Sequence, residues 1–413
     1  MGSAKDFEEG GIRFLQDACL RLDVEPELTG ILVSPSREIR VELPIRRDDG
    51  SVAHFSGYRV QHYNALGPYK GGLRYHPNVT MGELRWLACL MSLKTALVQL
   101  PLGGAKGGID CDPCLLSSSE LQQLTRYFVR KMHRDFGPNI DIPAPDVGTD
   151  ASVMAWIHDE YSVIYGYSPA AVTGKPVLIG GSEGRESATG QGVGIVMHEY
   201  AKHRAEQLEG NTAVIQGFGN VGMHVAADLA SRGMLVIAVS DSQGAVYERN
   251  GLNIEKLRRH KQETGSVAEF SDAKAISHAA LFRLECDYFV PAAVGGDICE
   301  AVAQEMSAKV IVEAANNAVS YEASHVLQAK GITVLPDILV NSGGVIVSYF
   351  ERVQNLQQMP WTVERVSTEL FATLQNACTR VFAVETGKKC GFRAAAFDIA
   401  VSRLRDGICT TMF

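Results

Sequence analysis

The chain has 413 residues, enough for two or three domains with a sizeable buried core. Hydrophobic residues make up 46% and charged residues 21%, which excludes the disordered and fibrous classes. The net charge is −8 and no basic run occurs, which excludes a general nucleic-acid binder.

No uninterrupted run of about 18 apolar residues exists, so no membrane span is expected. Met1 to Gly10 carries Asp6, Glu8 and Glu9, which is wrong for a secretory signal or an Arg-rich transit peptide. The nine cysteines are scattered and odd in number, and they read as reduced thiols of a cytoplasmic protein.

Ile39 to Leu43 alternates as a half-buried strand does, and Val52 to Tyr63 reads as a second strand. Thr80-Met81-Gly82-Glu83 has capping-box spacing before an apolar run to Val98. That helix is apolar on nearly every face and should be deeply buried, with Lys94 as a lone cation in it. Glu120 to Phe136 reads as a more amphipathic helix. From about Thr212 the pattern changes to short buried strands alternating with helices. Ala213 to Ile215, Leu235 to Val239, Tyr288 to Val290, Val310 to Val312 and Thr333 to Leu335 are the strands, and Val221 to Arg232 is a helix. This alternation indicates a parallel, doubly wound sheet. After Gly344 the character is helical, from Val345 through Met412. The expected organisation is α/β with two domains. Residues 1–185 form a mixed-sheet substrate and oligomerisation domain, residues 186–343 a Rossmann-type dinucleotide-binding domain, and residues 344–413 helices packing back on the first.

Gly217-Phe218-Gly219-Asn220-Val221-Gly222 follows a strand, opens a helix and leads to Asp241. In that context the glycines allow a tight turn, close approach of a pyrophosphate, and close helix–strand packing. The helix N-terminus supplies free N–H groups and its dipole to the phosphates. Asp241 is placed to hold a ribose 2′-hydroxyl. A dinucleotide cofactor is therefore expected.

A second signal is a set of lysines, two of them embedded in glycine. These are Lys70 in Gly67-Pro68-Tyr69-Lys70-Gly71-Gly72, Lys94 in the buried helix, and Lys106 in Gly103-Gly104-Ala105-Lys106-Gly107-Gly108. Any one of them alone reads as a solvated surface charge. Gly107 in place of Ser or Thr after Lys106 rules out a phosphate-binding P-loop. If the three meet, each depresses the others' pKa and burial pushes the same way. One then serves as a general acid or base near neutral pH, while the others hold carboxylates. A dicarboxylate substrate would neutralise such a cluster. Third, Ile142-Pro143-Ala144-Pro145-Asp146-Val147-Gly148-Thr149-Asp150 is a rigid loop with Asp146 as its best-placed carboxylate, and Asp150 or Thr149 better suits capping the next helix. No metal is expected. Cys111-Asp112-Pro113-Cys114 has no second pair, and His198 and His203 lie on different faces of a helix.

At these residues the chain resembles the glutamate dehydrogenases of the Glu/Leu/Phe/Val amino-acid dehydrogenase superfamily. The resemblance runs from about Gln61 to Glu351. It rests on Gly67 to Pro77, Leu100 to Ile109, Asp141 to Thr149, Thr173-Gly174-Lys175-Pro176, Ala188-Thr189-Gly190, Gln216 to Gly222 and Asn341-Ser342-Gly343-Gly344. It implies reversible oxidative deamination of L-glutamate to 2-oxoglutarate and ammonia, in a cleft between the domains of a homohexamer. By similarity, Lys106 activates water or protonates the carbinolamine, and Asp146 shuttles protons to and from the amino group. Lys94 would bind the α-carboxylate, and Lys70 and Ser348 the side-chain carboxylate. Thr189, Gly217, Gly219, Asn220, Val221, Gly222, Asp241, Asn316 and Asn341 would contact the cofactor.

Lys70 separates the branches of the resemblance. The branched-chain and aromatic enzymes carry an apolar residue there, because an ammonium facing an isobutyl group would be an unpaired buried charge. Glu313-Ala314-Ala315-Asn316-Asn317-Ala318 departs from the usual E-G-A-N-G-P, and Pro291 to Gly296 and Arg352 also depart. Asp241 with a final Gly222 leans toward NAD, although NADP-using members also carry an Asp there. Two alternatives stand beside glutamate: a dehydrogenase for leucine, valine or phenylalanine, and a catalytically silent regulatory homologue. The intact Lys106, Asp146 and glycine turn argue against the silent form.

Overall fold

The computed structural model describes residues 4–293 and 295–412. Met1 to Ser3 of the N-terminal stretch and Val294 of the 291–296 segment lie outside these. The chain divides into a first unit, residues 4–185, 345–367 and 398–412, and a second, residues 186–344 and 368–397.

The first unit opens with helices α1 (Ala4–Arg21) and α2 (Pro26–Val33). Its five strands are β1 (Arg37–Arg46), β2 (Val52–Tyr63), β3 (Tyr69–Tyr75), β4 (Gly104–Ile109) and β5 (Asp141–Pro145), in the order β1-β2-β4-β3-β5. β1–β2 and β2–β4 are antiparallel, whereas β3 runs parallel to β4 and β5. Helix α3 (Met81–Leu97) begins where Thr80 Oγ1 accepts from Glu83 N at 3.3 Å. Helix α4 (Ser118–Met132) starts earlier than the expected Glu120, because Ser117 and Glu120 form a reciprocal capping box. Helix α5 (Ala151–Tyr165) is capped by Asp150, whose Oδ1 accepts from Ser152 N and Val153 N.

Alternation along the strands gives this sheet two distinct faces. Leu43, Leu73, Tyr75 and Ile109 point to one side and are buried with Phe128 and Met132 of α4 and Ile157 of α5. Val60 points to the other, buried with Leu84 and Ala88 of α3. α3 is buried along nearly its whole length, as its all-round apolar pattern requires. A Cβ at Gly104 would collide with the backbone of Ser92, so only glycine lets α3 lie this close to β4.

In the second unit, α6 (Ala188–His203) precedes β6 (Thr212–Gln216), α7 (Asn220–Ser231) and β7 (Leu235–Ser240). β8 (Ala245–Tyr247), α8 (Ile254–Thr264), β9 (Lys274–Ile276), α9 (His278–Phe282) and β10 (Cys286–Pro291) follow. Then come α10 (Glu300–Glu305), β11 (Ala308–Val312), α11 (Tyr321–Ala329), β12 (Thr333–Leu335) and α12 (Asp337–Val340). The sheet order is β12-β11-β10-β6-β7-β8-β9. Its first five strands are parallel and doubly wound. β8 and β9, which the sequence pattern did not announce, add antiparallel to the β7 edge. At three residues each they are too short to show a period.

The helical C-terminal segment consists of α13 (Gly343–Gln357), α14 (Val363–Lys388) and α15 (Phe392–Met412). Pro360 lies in the first break, and Gly391, at φ +80°, in the second. Not all of this segment belongs to the first unit. Residues 368–397 belong to the second, where Gln375 Nε2 donates to Glu199 at 3.1 Å and Phe382 lies 4.9 Å from the His203 ring.

Candidate active site

Leu73 pairs with Gly107 across β3 and β4, so Lys70, Gly72 and Arg74 share the α3 face with Gly104 and Lys106. Lys94 is buried within α3. All three lysines predicted to carry the chemistry therefore belong to one side of one sheet, and all three are buried.

Asp146 is the first residue beyond β5. Thr149 fixes its backbone: Thr149 Oγ1 donates to Leu73 O at 2.8 Å and accepts from Asp146 N at 2.8 Å. Asp146 Oδ2 accepts from Lys106 Nζ at 3.0 Å and from Arg74 Nε at 3.0 Å. Arg74 Nη1 in turn donates to Glu83 Oε1 of α3. Asp146 Oδ1 has no partner among the described residues. Burial alone would raise the Asp146 carboxyl, but the Lys106 and Arg74 charges outweigh it and hold it down to about 2. Burial pulls the Lys106 ammonium below its ordinary value, Asp146 opposes that, and Arg74 adds to it. The pair thus couples an amine made easier to deprotonate with a carboxylate held ionised.

Lys70 is only 1% exposed. Its one hydrogen bond among the described residues goes to Ile142 O at 3.2 Å. An ammonium has three donors. Burial, then the Arg185 and Arg59 guanidinium groups, push its pKa well below the ordinary lysine value. Arg185 Nε donates to Ser348 Oγ of α13 at 2.9 Å, so the Ser348 hydroxyl lies against one of the cations whose charge acts on Lys70. Glu351, one turn further along α13, is already committed to Lys175 Nζ at 2.7 Å and Gly174 N at 2.8 Å. The Lys70–Arg185–Ser348 cluster therefore keeps a surplus of positive charge. The mutual depression expected among three lysines takes another form here: the cations acting on Lys70 and Lys106 are arginines.

In the second unit, strand order reverses between β6 and β10, and the glycine turn lies at the carboxyl end of β6. Gly217 has φ +95°, and a Cβ at Gly222 would strike the Gly217 carbonyl. No side chain caps the first turn of α7, so the N–H groups after Gly219 stay available for an anion. Ala292 N donates to Gln216 O at 2.7 Å, and Gln216 Nε2 to Asp297 Oδ2 at 2.6 Å, which seats Ala292 and Asp297 beside this turn. Thr189 lies in the first turn of α6, and Asn220 Nδ2 donates to Glu186 O just before it at 3.3 Å. Asn341 Nδ2 donates to Asn316 Oδ1 at 3.0 Å, bringing those two together, while Asn341 Oδ1 is buried with no partner. Asn317 stands where glycine is usual and has φ +47°, a left-handed conformation that asparagine tolerates better than most residues.

Asp241 immediately follows β7, as expected, but its carboxylate is heavily engaged. Oδ1 accepts from Gln243 N, Gly244 N and Ser266 Oγ, and Oδ2 from Lys261 Nζ at 3.0 Å and Val267 N at 2.7 Å. It organises the loops around β8.

The site roles of Arg74, Glu83, Arg185 and Glu351 escaped the sequence reading. Treating Tyr69 to Tyr75 as a strand would have put Arg74 on the Lys70 face; Arg185 sits in a polar loop that carries no such signal. Among the described residues no helix is long and apolar enough to cross a membrane, and no cluster of His, Cys, Asp and Glu could hold a metal ion.

Residues 180–409 match the Glutamate/Leucine/Phenylalanine/Valine dehydrogenase family, and residues 35–163 match the Glu/Leu/Phe/Val dehydrogenase dimerisation domain. The chain is 42% identical over 390 residues to an NAD-specific glutamate dehydrogenase of Staphylococcus aureus (strain COL), covering 94% of each chain. It is similar to the hetero-hexameric glutamate dehydrogenase of Thermus thermophilus in its leucine-bound form, with a TM-score of 0.92 and 37% identity over 97% of this chain and 96% of that one. It is also similar to the glutamate dehydrogenase of Peptoniphilus asaccharolyticus, with a TM-score of 0.86 and 36% identity over 98% and 99%.

Proposed function

The chain belongs to the Glutamate/Leucine/Phenylalanine/Valine dehydrogenase family, and we propose that it catalyses the reversible oxidative deamination of L-glutamate to 2-oxoglutarate and ammonia with NAD. The observation that carries this reading is the 3.0 Å contact between Lys106 Nζ and Asp146 Oδ2, with Asp146 Oδ1 left uncommitted. Asp146 takes and returns protons at the substrate nitrogen. Lys106, as the free amine, draws a proton from the attacking water; as the ammonium, it protonates the carbinolamine oxygen. Lys94 holds the α-carboxylate.

Lys70, Ser348 and the neighbouring Arg185 hold the side-chain carboxylate. Two cations and a hydroxyl, with Glu351 already engaged, are satisfied by an anion and left exposed to a penalty by an alkyl group. This favours glutamate over leucine, valine or phenylalanine.

The second unit suits a dinucleotide. The uncapped turn at Gly217, Gly219, Asn220, Val221 and Gly222 receives the pyrophosphate, and Thr189 and Asn220 flank it. The unpartnered Asn341 Oδ1, braced through Asn316, offers an acceptor to a carboxamide N–H. A dinucleotide held there would supply the hydride acceptor for the substrate α-carbon. The choice of NAD follows the Staphylococcus aureus relative and the anionic Asp241 at the end of β7. Assays with glutamate, leucine, valine and phenylalanine test the reading: glutamate turns over fastest, and faster turnover of leucine would sink it.

We also propose a homohexamer. Val163, Tyr167 and Leu178 of the first unit are 74%, 73% and 95% exposed, an apolar exposure that subunit contacts would cover. Light scattering on the eluted protein gives six subunits on this view and one or two if it is wrong.

A further inference from the structure

We propose that Arg74 is a positioning residue of the reaction, one that clamps a single oxygen of Asp146, leaves the other for the substrate nitrogen, and with Glu83 sets the charge under which Lys106 exchanges its proton. This rests on Lys106 and Asp146 being the proton-transfer pair.

The geometry is that of a fork. Arg74 Nε meets Asp146 Oδ2, and Arg74 Nη1, on the other side of the same planar group, meets Glu83 Oε1. A guanidinium presents donors in fixed directions, so engaging Glu83 fixes how Nε approaches Asp146; a lysine, as a point charge, cannot bridge both. Glu83 is itself anchored, since its N–H donates to the Thr80 cap at the start of α3. Arg74 of β3 and Lys106 of β4 therefore converge on one carboxylate oxygen at the end of β5, and Glu83 of α3 braces the arginine. Side-chain exposures of 18%, 21% and 17% for Arg74, Glu83 and Asp146 make the relay half-buried.

The charges alternate as Lys106, Asp146, Arg74, Glu83. Facing Lys106 are Asp146, Arg74 and Glu83; facing Asp146 are Lys106 and Arg74. Arg74 repels a proton from Lys106, whereas Asp146 and Glu83 attract one. Removing Arg74 should therefore raise the pH at which Lys106 becomes the free amine. Removing the Glu83 charge should lower it. A residue that merely supported the fold would not give shifts of opposite sign.

The test is the pH profile of kcat/KM for glutamate oxidation in Arg74→Gln, Glu83→Gln and the double variant. The acid limb moves up by about one pH unit in the first, down by a similar amount in the second, and returns near its original position in the double variant. Arg74→Lys keeps the limb near its place but lowers kcat roughly ten- to a hundred-fold, with KM for glutamate little changed, because the charge survives and the fork does not. Shifts in the same direction, or a fall in kcat with no movement of the limb, would overturn the proposal. Should Arg74→Gln fail to fold by circular dichroism, Glu83→Gln and Arg74→Lys decide the matter by the same criteria. Asp146→Asn is assayed alongside: near-normal turnover there removes the proton-transfer pair itself, an outcome distinct from failure of the arginine's role.

Discussion

Asp146 and Asp241 occupy equivalent places in their two sheets, each one residue beyond a parallel strand, and their surroundings treat them oppositely. Among the described residues, Asp146 receives two cationic donors on one oxygen and nothing on the other. Asp241 receives five donors, shared between both oxygens. A carboxylate with an open lone pair among buried charges is poised for exchange, because the incoming proton has somewhere to go. One whose lone pairs are already filled is a hub for the backbone it gathers. The sequence presents both as functional acids; hydrogen-bond occupancy separates them.

The largest expected effect breaks the comparison if it fails. Asp146→Asn should lower kcat by about 10²- to 10⁴-fold with cofactor binding, read by fluorescence, largely intact. Lys106→Ala should likewise abolish measurable turnover. Asp241→Asn, by contrast, should keep kcat within about tenfold. Equal losses at the two aspartates would erase the distinction between them.

Lys70 extends the contrast to a cation with open donors. Lys70→Leu should raise KM for glutamate by about 10²-fold or more, the weight of one lost buried charge-assisted contact, and admit leucine or valine as slow substrates. Unchanged selectivity in a four-substrate assay would remove the carboxylate-binding role.

Smaller and structural is the expected effect of Asp241→Ala, which leaves the Gln243, Gly244 and Val267 amides without their acceptor. Stability should fall by about 1–3 kcal/mol, measured by denaturant unfolding of the second unit's transition. A stability equal to the parent's would show that those bonds contribute nothing net. Smallest in consequence for the comparison is cofactor choice: paired titrations should give NADH the tighter binding, and equal affinity for NADPH would mean that Lys261 cancels the Asp241 charge.

Much of the fold was legible because it is local. The alternation of β1, the cap and apolar run of α3, and the short strands from β6 onward are written in neighbouring residues. The start of α4 was readable too, in Ser117 and Glu120. The antiparallel β8 and β9 were not, because three-residue strands owe their existence to the strand beside them rather than to their own pattern.

The site divides the same way. Residue type and spacing alone singled out the glycine turn, Lys70, Lys94, Lys106 and Asp146, since glycine beside lysine and a rigid proline loop are chemical signatures of one short stretch. The chain order of residues says nothing about which charges become neighbours. Only the tertiary structure brought Arg74 onto Asp146, Glu83 onto Arg74 and Arg185 onto Ser348, and only it filled every place around Asp241. Partners 72 or 163 positions apart meet through strand register and helix packing, and those long-range contacts, not composition, decide which buried group keeps a free lone pair.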